Sequence, residues 1–98
     1  MGKVESEMLE YIKSRLEAGA LSVPGPEVLD AIIPTDQQEL RQRPAYRHGL
    51  DRLRRRNILD SVSDPAGIQH YFIGKLSVAL YESLGMECPY SRDALESL

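Results

Sequence analysis

The sequence predicts a single small α+β domain, mainly helical, with one β-hairpin in its second half. Three observations predict it. The chain has 98 residues, 42% of them hydrophobic and 28% charged, the proportions of one globular domain. Apolar residues recur at helical spacing in four separate stretches, each of which can bury one side. Asp64-Pro65-Ala66-Gly67 separates two β-type runs, and Pro followed by Gly is the chemistry of a tight turn.

The elements follow in order. A first helix is predicted over residues 6–18, with Ser6 as N-cap, Met8, Leu9, Ile12 and Leu16 as its apolar stripe and Gly19 as its stop. A short extended piece, Ala20-Leu21-Ser22-Val23, comes next. Pro24-Gly25-Pro26 breaks the chain, and Pro26 suits the first turn of a second helix carrying Val28, Leu29, Ile32 and Ile33. Pro34 ends that helix. Thr35 and Gln38 have the spacing of a capping box. Pro44 places a boundary near Arg43.

The third helix is predicted from Pro44 to Arg56, with Tyr46, Leu50 and Leu53 as its stripe. The small Gly49 would let a neighbouring helix approach closely, and Asn57 suits the left-handed residue that closes a helix. Residues 58–63 and 68–74 read as the strands of the hairpin. A last helix is predicted over residues 75–84, stopped by Gly85. Residues 1–86 thus form the domain, and residues 87–98 a partly ordered tail.

Charge is unevenly spread. The net charge is −3, but residues 1–40 hold three bases against eight acids and residues 61–98 two against five, whereas residues 41–60 hold seven arginines against Asp51 and Asp60. A basic block lies between two acidic ones, and the local field rather than the total decides what an anion meets.

The order helix, short strand, helix, helix, hairpin, helix suggests a winged helix-turn-helix. The stretch Leu50-Asp51-Arg52-Leu53-Arg54-Arg55-Arg56-Asn57-Ile58-Leu59 resembles the end of the recognition helix and the entry to the wing in winged-helix regulators of the MarR-like and PadR-like kind. Asn57 stands where such proteins usually have Gly. The resemblance spans roughly residues 6–84 and implies sequence-specific binding of double-stranded DNA by a transcriptional regulator. The turn at Ser63-Asp64-Pro65-Ala66-Gly67 departs from the pattern, since it holds an acid and no base. So do the long link between the second and third helices and the negative total charge.

An ideal helix turns about 100° per residue, and that angle sorts the third helix. With Tyr46 at zero, the apolar stripe is centred near zero, while His48, Asp51 and Arg55 fall between about 140° and 200°. The predicted groove-facing set is Arg47, His48, Asp51, Arg52 and Arg55. Arg41, Arg43, Arg54 and Arg56 are expected to meet the phosphate backbone, and Gln42 to do either. Arginine suits both tasks, releasing counterions at phosphates and gripping guanine with two hydrogen bonds. Arg54-Arg55-Arg56 is also what a solvated helix face looks like, and it could pair with Glu7, Glu10 or Glu17 of the first helix. The alternative is therefore a winged-helix interaction module that holds an acidic partner without binding DNA.

The remaining residues suggest little chemistry. His48, His70 and Cys88 share no metal-ligand spacing. His70 reads as a strand residue with an ordinary hydrogen bond. Cys88 lacks a recognisable base, and phosphate-loop and nucleophile motifs are missing from the sequence, so neither an enzyme, a cofactor nor a small-molecule substrate is expected. Tyr71 is the tyrosine most suited to touching a base. Leu76, Val78, Leu80, Tyr81 and Leu84 of the last helix are the expected homodimer interface, because Val78 and Tyr81 lie on a second side of it. A single cysteine, no apolar leader and no long apolar run point to a cytoplasmic protein rather than a membrane one.

Overall fold

A computed structural model describes residues 2–33, 43–74 and 76–88. Among them are four helices and a three-stranded antiparallel sheet: α1 (Lys3–Glu17), β1 (Val23–Pro24), α2 (Gly25–Ile32), α3 (Arg43–Arg55), β2 (Asp60–Ser63), β3 (Gln69–Phe72) and α4 (Val78–Ser83). The fold is thus a small α+β domain. The capping box at Thr35 and Gln38, the residues Arg41 and Gln42, and the tail beyond Cys88 lie outside the described residues. No helix among the described residues is long and apolar enough to cross a membrane.

The core is a meeting of helix stripes with one strand. Met8 and Ile12 of α1, Val28 and Leu29 of α2, Leu50 and Leu53 of α3, and Val23, Ile33, Leu59 and Tyr71 pack into one buried cluster. Tyr46 is only partly buried at its edge. Beside the core, a polar clamp ties α1 to α2. The Tyr11 hydroxyl donates to Glu27 Oε2 at 2.8 Å, and Arg15 Nε lies 3.1 Å from the same oxygen.

The sheet order is β1-β3-β2. β3 is therefore central, with Val23 and Ser61 flanking Tyr71 in register. That position explains why Tyr71 and Phe72 are both buried although they point to opposite faces. At the turn, Gly67 N donates to Asp64 O at 2.9 Å and Gly67 takes a φ of 85°. Proline and glycine there do what the sequence suggests.

Helix ends show where the sequence reading succeeds and fails. Asn57 has a φ of 60°. Asn57 N donates to Arg54 O and Ile58 N to Leu53 O, both at 3.0 Å, the paired bonds that close a helix on a left-handed residue. Leu59 N also reaches Leu53 O, at 3.3 Å. Ile58 and Leu59 thus close α3 rather than extend β2, which begins at Asp60 and not at residue 58. The first helix starts at Lys3, and Gly2 rather than Ser6 is its N-cap. Ser6 N donates to Gly2 O at 3.0 Å, so Ser6 lies inside the helix.

The last helix is shorter than residues 75–84. Ser77 caps it, its Oγ accepting from Leu80 N at 3.1 Å. Leu76 precedes the helix, and Leu84 is its C-cap. Leu80 and Tyr81 are both buried within the one chain, Val78 and Leu84 partly so. The exposed tyrosine on which a homodimer through this helix was expected is therefore absent, because Tyr81 is spent on the chain's own interior.

Candidate nucleic-acid interface

α3 projects its arginines because its apolar positions face the core and leave three other sectors for charge. The structure sorts those sectors by their neighbours. Gly49 faces α1 so closely that a Cβ on it would lie 2.8 Å from Met8 Cε and 3.6 Å from Glu5 Cγ. Arg52 and Arg56 lie on one side of Gly49 on the helical wheel, within about 60° of it, and turn to the same neighbour. Arg52 Nε donates to Glu5 Oε1 at 2.8 Å, and Arg56 Nη1 lies 4.0 Å from Glu5 Oε2. The Glu5 side chain is only 9% exposed. The Arg52 hydrogen bond holds its carboxyl below the ordinary range, against the opposing effect of burial.

Arg52 was expected among the groove-facing residues; its guanidinium is instead fixed to α1. Pulling it away would leave a buried carboxylate without its hydrogen-bond donor, which is costly. Glu7, Glu10 and Glu17 were the acids offered to the run Arg54-Arg55-Arg56; of that run Arg54 and Arg55 pair with Asp51, while Arg56 approaches α1, where the carboxylate it meets is Glu5. A signal for this existed. Glu5 lies three, four and seven residues before Met8, Leu9 and Ile12, on the buried stripe itself, where an acid needs a cation.

The outward sector contains a second arrangement. Arg54 Nη2 donates to Asp51 Oδ1 at 2.7 Å, and Arg55 Nε lies 3.0 Å from Asp51 Oδ2. The hydrogen bond from Arg54 and the charge of Arg55 lower the Asp51 pKa. The arginine side chains are 50% and 74% exposed, and ion pairs this wet contribute little to stability. Arg47 and His48 are exposed and make no hydrogen bond or ion pair among the described residues. Arg43 opens α3, but its side chain lies outside what is described.

Beside this sector lies a groove of about 640 Å3, walled by α2, α3 and β3. Arg47, His48 and Asp51 form one side, Gly25, Pro26 and Leu29 a second, and Ile68, Gln69 and Tyr71 a third. Sequence reasoning missed this groove, because it assembles residues from three distant segments. Tyr71 was expected to touch bases, but it is only 8% exposed, and its ring packs on Gly25, where a Cβ would stand 3.3 Å from Cε2. Burial raises the Tyr71 pKa, so its hydroxyl stays protonated.

The acid in the hairpin turn is occupied locally. Asp64 Oδ1 accepts from Ala66 N and Ile68 N, each at 2.9 Å, and Oδ2 lies 2.8 Å from His70 Nε2. His70 thus makes the ordinary strand hydrogen bond expected of it. The contact to His70, with the two backbone donors, lowers the Asp64 pKa. The sign follows: a depressed folded pKa stabilises above the unfolded value, and that stabilisation is lost as pH falls through the folded one. Carbon-13 titration should therefore give an Asp64 midpoint below that of the same turn as a short peptide. The Ala66 and Ile68 amide resonances should move at that lower midpoint. Coincident midpoints in protein and peptide would show that the clasp does not form.

Among the described residues, no group of three or more His, Cys, Asp or Glu side chains could hold a metal ion. In comparisons with known proteins, the chain matches no family model, no curated protein and no solved structure.

Proposed function

We propose that the chain is a winged helix-turn-helix domain that binds double-stranded DNA sequence-specifically, as a transcriptional regulator does, with α3 in the major groove. One observation carries the reading: α3 divides its cations. Arg52 and Arg56 are turned to Glu5, while Arg47, His48, Arg54 and Arg55 face solvent beside the hairpin. The sheet order β1-β3-β2, with the hairpin directly after α3, also suits a wing. The acid of that wing is bound within its own turn, which softens the repulsion a free carboxylate would offer to phosphate. In this reading Arg47 and Arg55 make the decisive contacts.

Fluorescence anisotropy with mixed-sequence duplexes at low and high salt tests it. Each arginine lost from a phosphate contact should flatten the salt slope by about one. Arg54→Ala should therefore flatten it by about one, whereas Arg47→Ala with Arg55→Ala, at positions that face the groove, should weaken binding by at least about tenfold and relax base preference. Arg56→Ala, on the α1 side, should change little. Binding that is absent even at low salt would remove the DNA reading and favour a module that holds an acidic protein partner. A selection from genomic fragments would then test sequence preference.

A further inference from the structure

Asp51 is the one acid in α3, and it stands within the outward sector. With about 100° per residue, Arg54 lies about 60° to one side of it and Arg55 about 40° to the other. Both of its oxygens are engaged. Oδ1 accepts from Arg54 Nη2 at 2.7 Å, and Oδ2 lies 3.0 Å from Arg55 Nε. The two arginines are therefore held differently. Arg54 spends a terminal amino group on Asp51. Arg55 meets it through the guanidinium nitrogen nearest the chain, and meets no other carboxylate among the described residues. The outer amino pair of Arg55, on a side chain 74% exposed, is left for an incoming acceptor. That pair is the fork that matches guanine O6 and N7. Holding its inner edge aims the fork, so less freedom is lost when a base arrives.

We propose that Asp51 is a positioning residue that aims the Arg55 fork at a guanine in the major groove. The inference rests on the DNA reading above and deepens it, because it names the base that α3 selects. A carboxylate on this face repels the phosphates of every duplex alike, so its contribution is to preference and not to general affinity. The pair is weak in water, but a base that covers it excludes water, and the attraction grows as the local dielectric falls. Direct reading of cytosine by Asp51 is disfavoured, since both oxygens already have arginine partners.

The test uses the full chain and a duplex selected from a random library. Its guanines are replaced one at a time by an analogue that lacks the N7 acceptor. In the wild type, one such replacement should weaken binding by about tenfold. In Asp51→Ala the same replacement should have almost no effect, while mixed-sequence duplex binds at least as tightly, because a negative charge has gone. Arg55→Lys keeps the charge and loses the fork, so it should lose the guanine effect and keep the salt slope. Arg54→Ala should keep the guanine effect. In the free protein, nitrogen-15 relaxation of Arg55 Nε should show a more mobile side chain in Asp51→Ala than in wild type. Asp51 lies on the side of α3 away from the core, so the variant should melt like wild type. Equal Arg55 mobility in the two proteins would overturn the positioning role whether or not duplex binds. A guanine effect that is absent from the wild type, or that persists in Asp51→Ala or Arg55→Lys, would overturn the inference and leave the DNA reading in place. Absence of duplex binding by the wild type would remove both.

Discussion

Leu53→Ala should lower the stability of the domain by about 2–5 kcal/mol, the cost of removing a buried leucine and leaving a cavity. Leu53 is wholly buried, in the cluster where all three of the longer helices meet. Domains of this size are stable by only about 5–15 kcal/mol, so the variant should be partly unfolded at modest denaturant. The substitution is a clean one. The Leu53 carbonyl, which accepts from Ile58 N and Leu59 N, is retained in alanine, so the closing of α3 is untouched and only packing is read. Guanidinium denaturation followed by circular dichroism measures it. A loss under about 1 kcal/mol would mean that the side chain does not fill the space described, since a buried leucine cannot be lost so cheaply.

The second large effect is expected where α1 crosses α3. Gly49→Val should cost about 1–3 kcal/mol, as overpacking in a tight interface does. The first added carbon would already lie 2.8 Å from Met8 Cε, Met8 is fully buried, and the two further methyl groups of valine need space that the shift of one methionine end does not give. α1 must then withdraw, which stretches the 2.8 Å contact between Arg52 and Glu5. Gly49→Ala is the instructive control. It gains about 1 kcal/mol of helix propensity, and the end of a methionine can shift by a few tenths of an ångström, so the two effects nearly cancel. Thermal melting separates the variants, and the Arg52 Nε resonance reports whether the ion pair survives. If valine is tolerated as well as alanine, the helices are not in the close contact described.

Most of what was legible in the sequence is local. The apolar stripe of α3, the small residue where α1 approaches it, the left-handed Asn57 and the Pro-Gly turn all depend on neighbours within a few positions. Each was therefore visible as spacing. The errors came from competition between local signals and partners far along the chain. Ser6 looked like a cap, but Glu5, beside it, is drawn into contact with a residue 47 positions away, and the helix runs through both. Ile58 and Leu59 looked like strand residues, but one carbonyl of α3 claims both of their N–H groups. Val78 and Tyr81 suggested a free face, whereas Tyr81 lies in the interior.

The candidate site was legible as composition and less so as geometry. Seven arginines in twenty residues identified α3, and an ideal helical wheel gave their angles. No wheel shows which carboxylate each one meets. Arg52 and Arg55 are three residues apart and both were expected to face a groove. One is fixed to a buried glutamate, and the other, itself exposed, rests on a half-buried aspartate of its own helix.

The short first strand has an effect beyond its contribution to the sheet. β1 and β2 form the two outer edges, since β3 lies between them. β1 is only two residues long, and one of them is Pro24, which offers no N–H. β2 carries the exposed Asp60 at its start. Neither margin offers a long, flat, apolar template to a strand of another molecule. Both margins are thereby poor templates for strand addition, and the β1 margin is built from the same residues that lead the chain from α1 into α2.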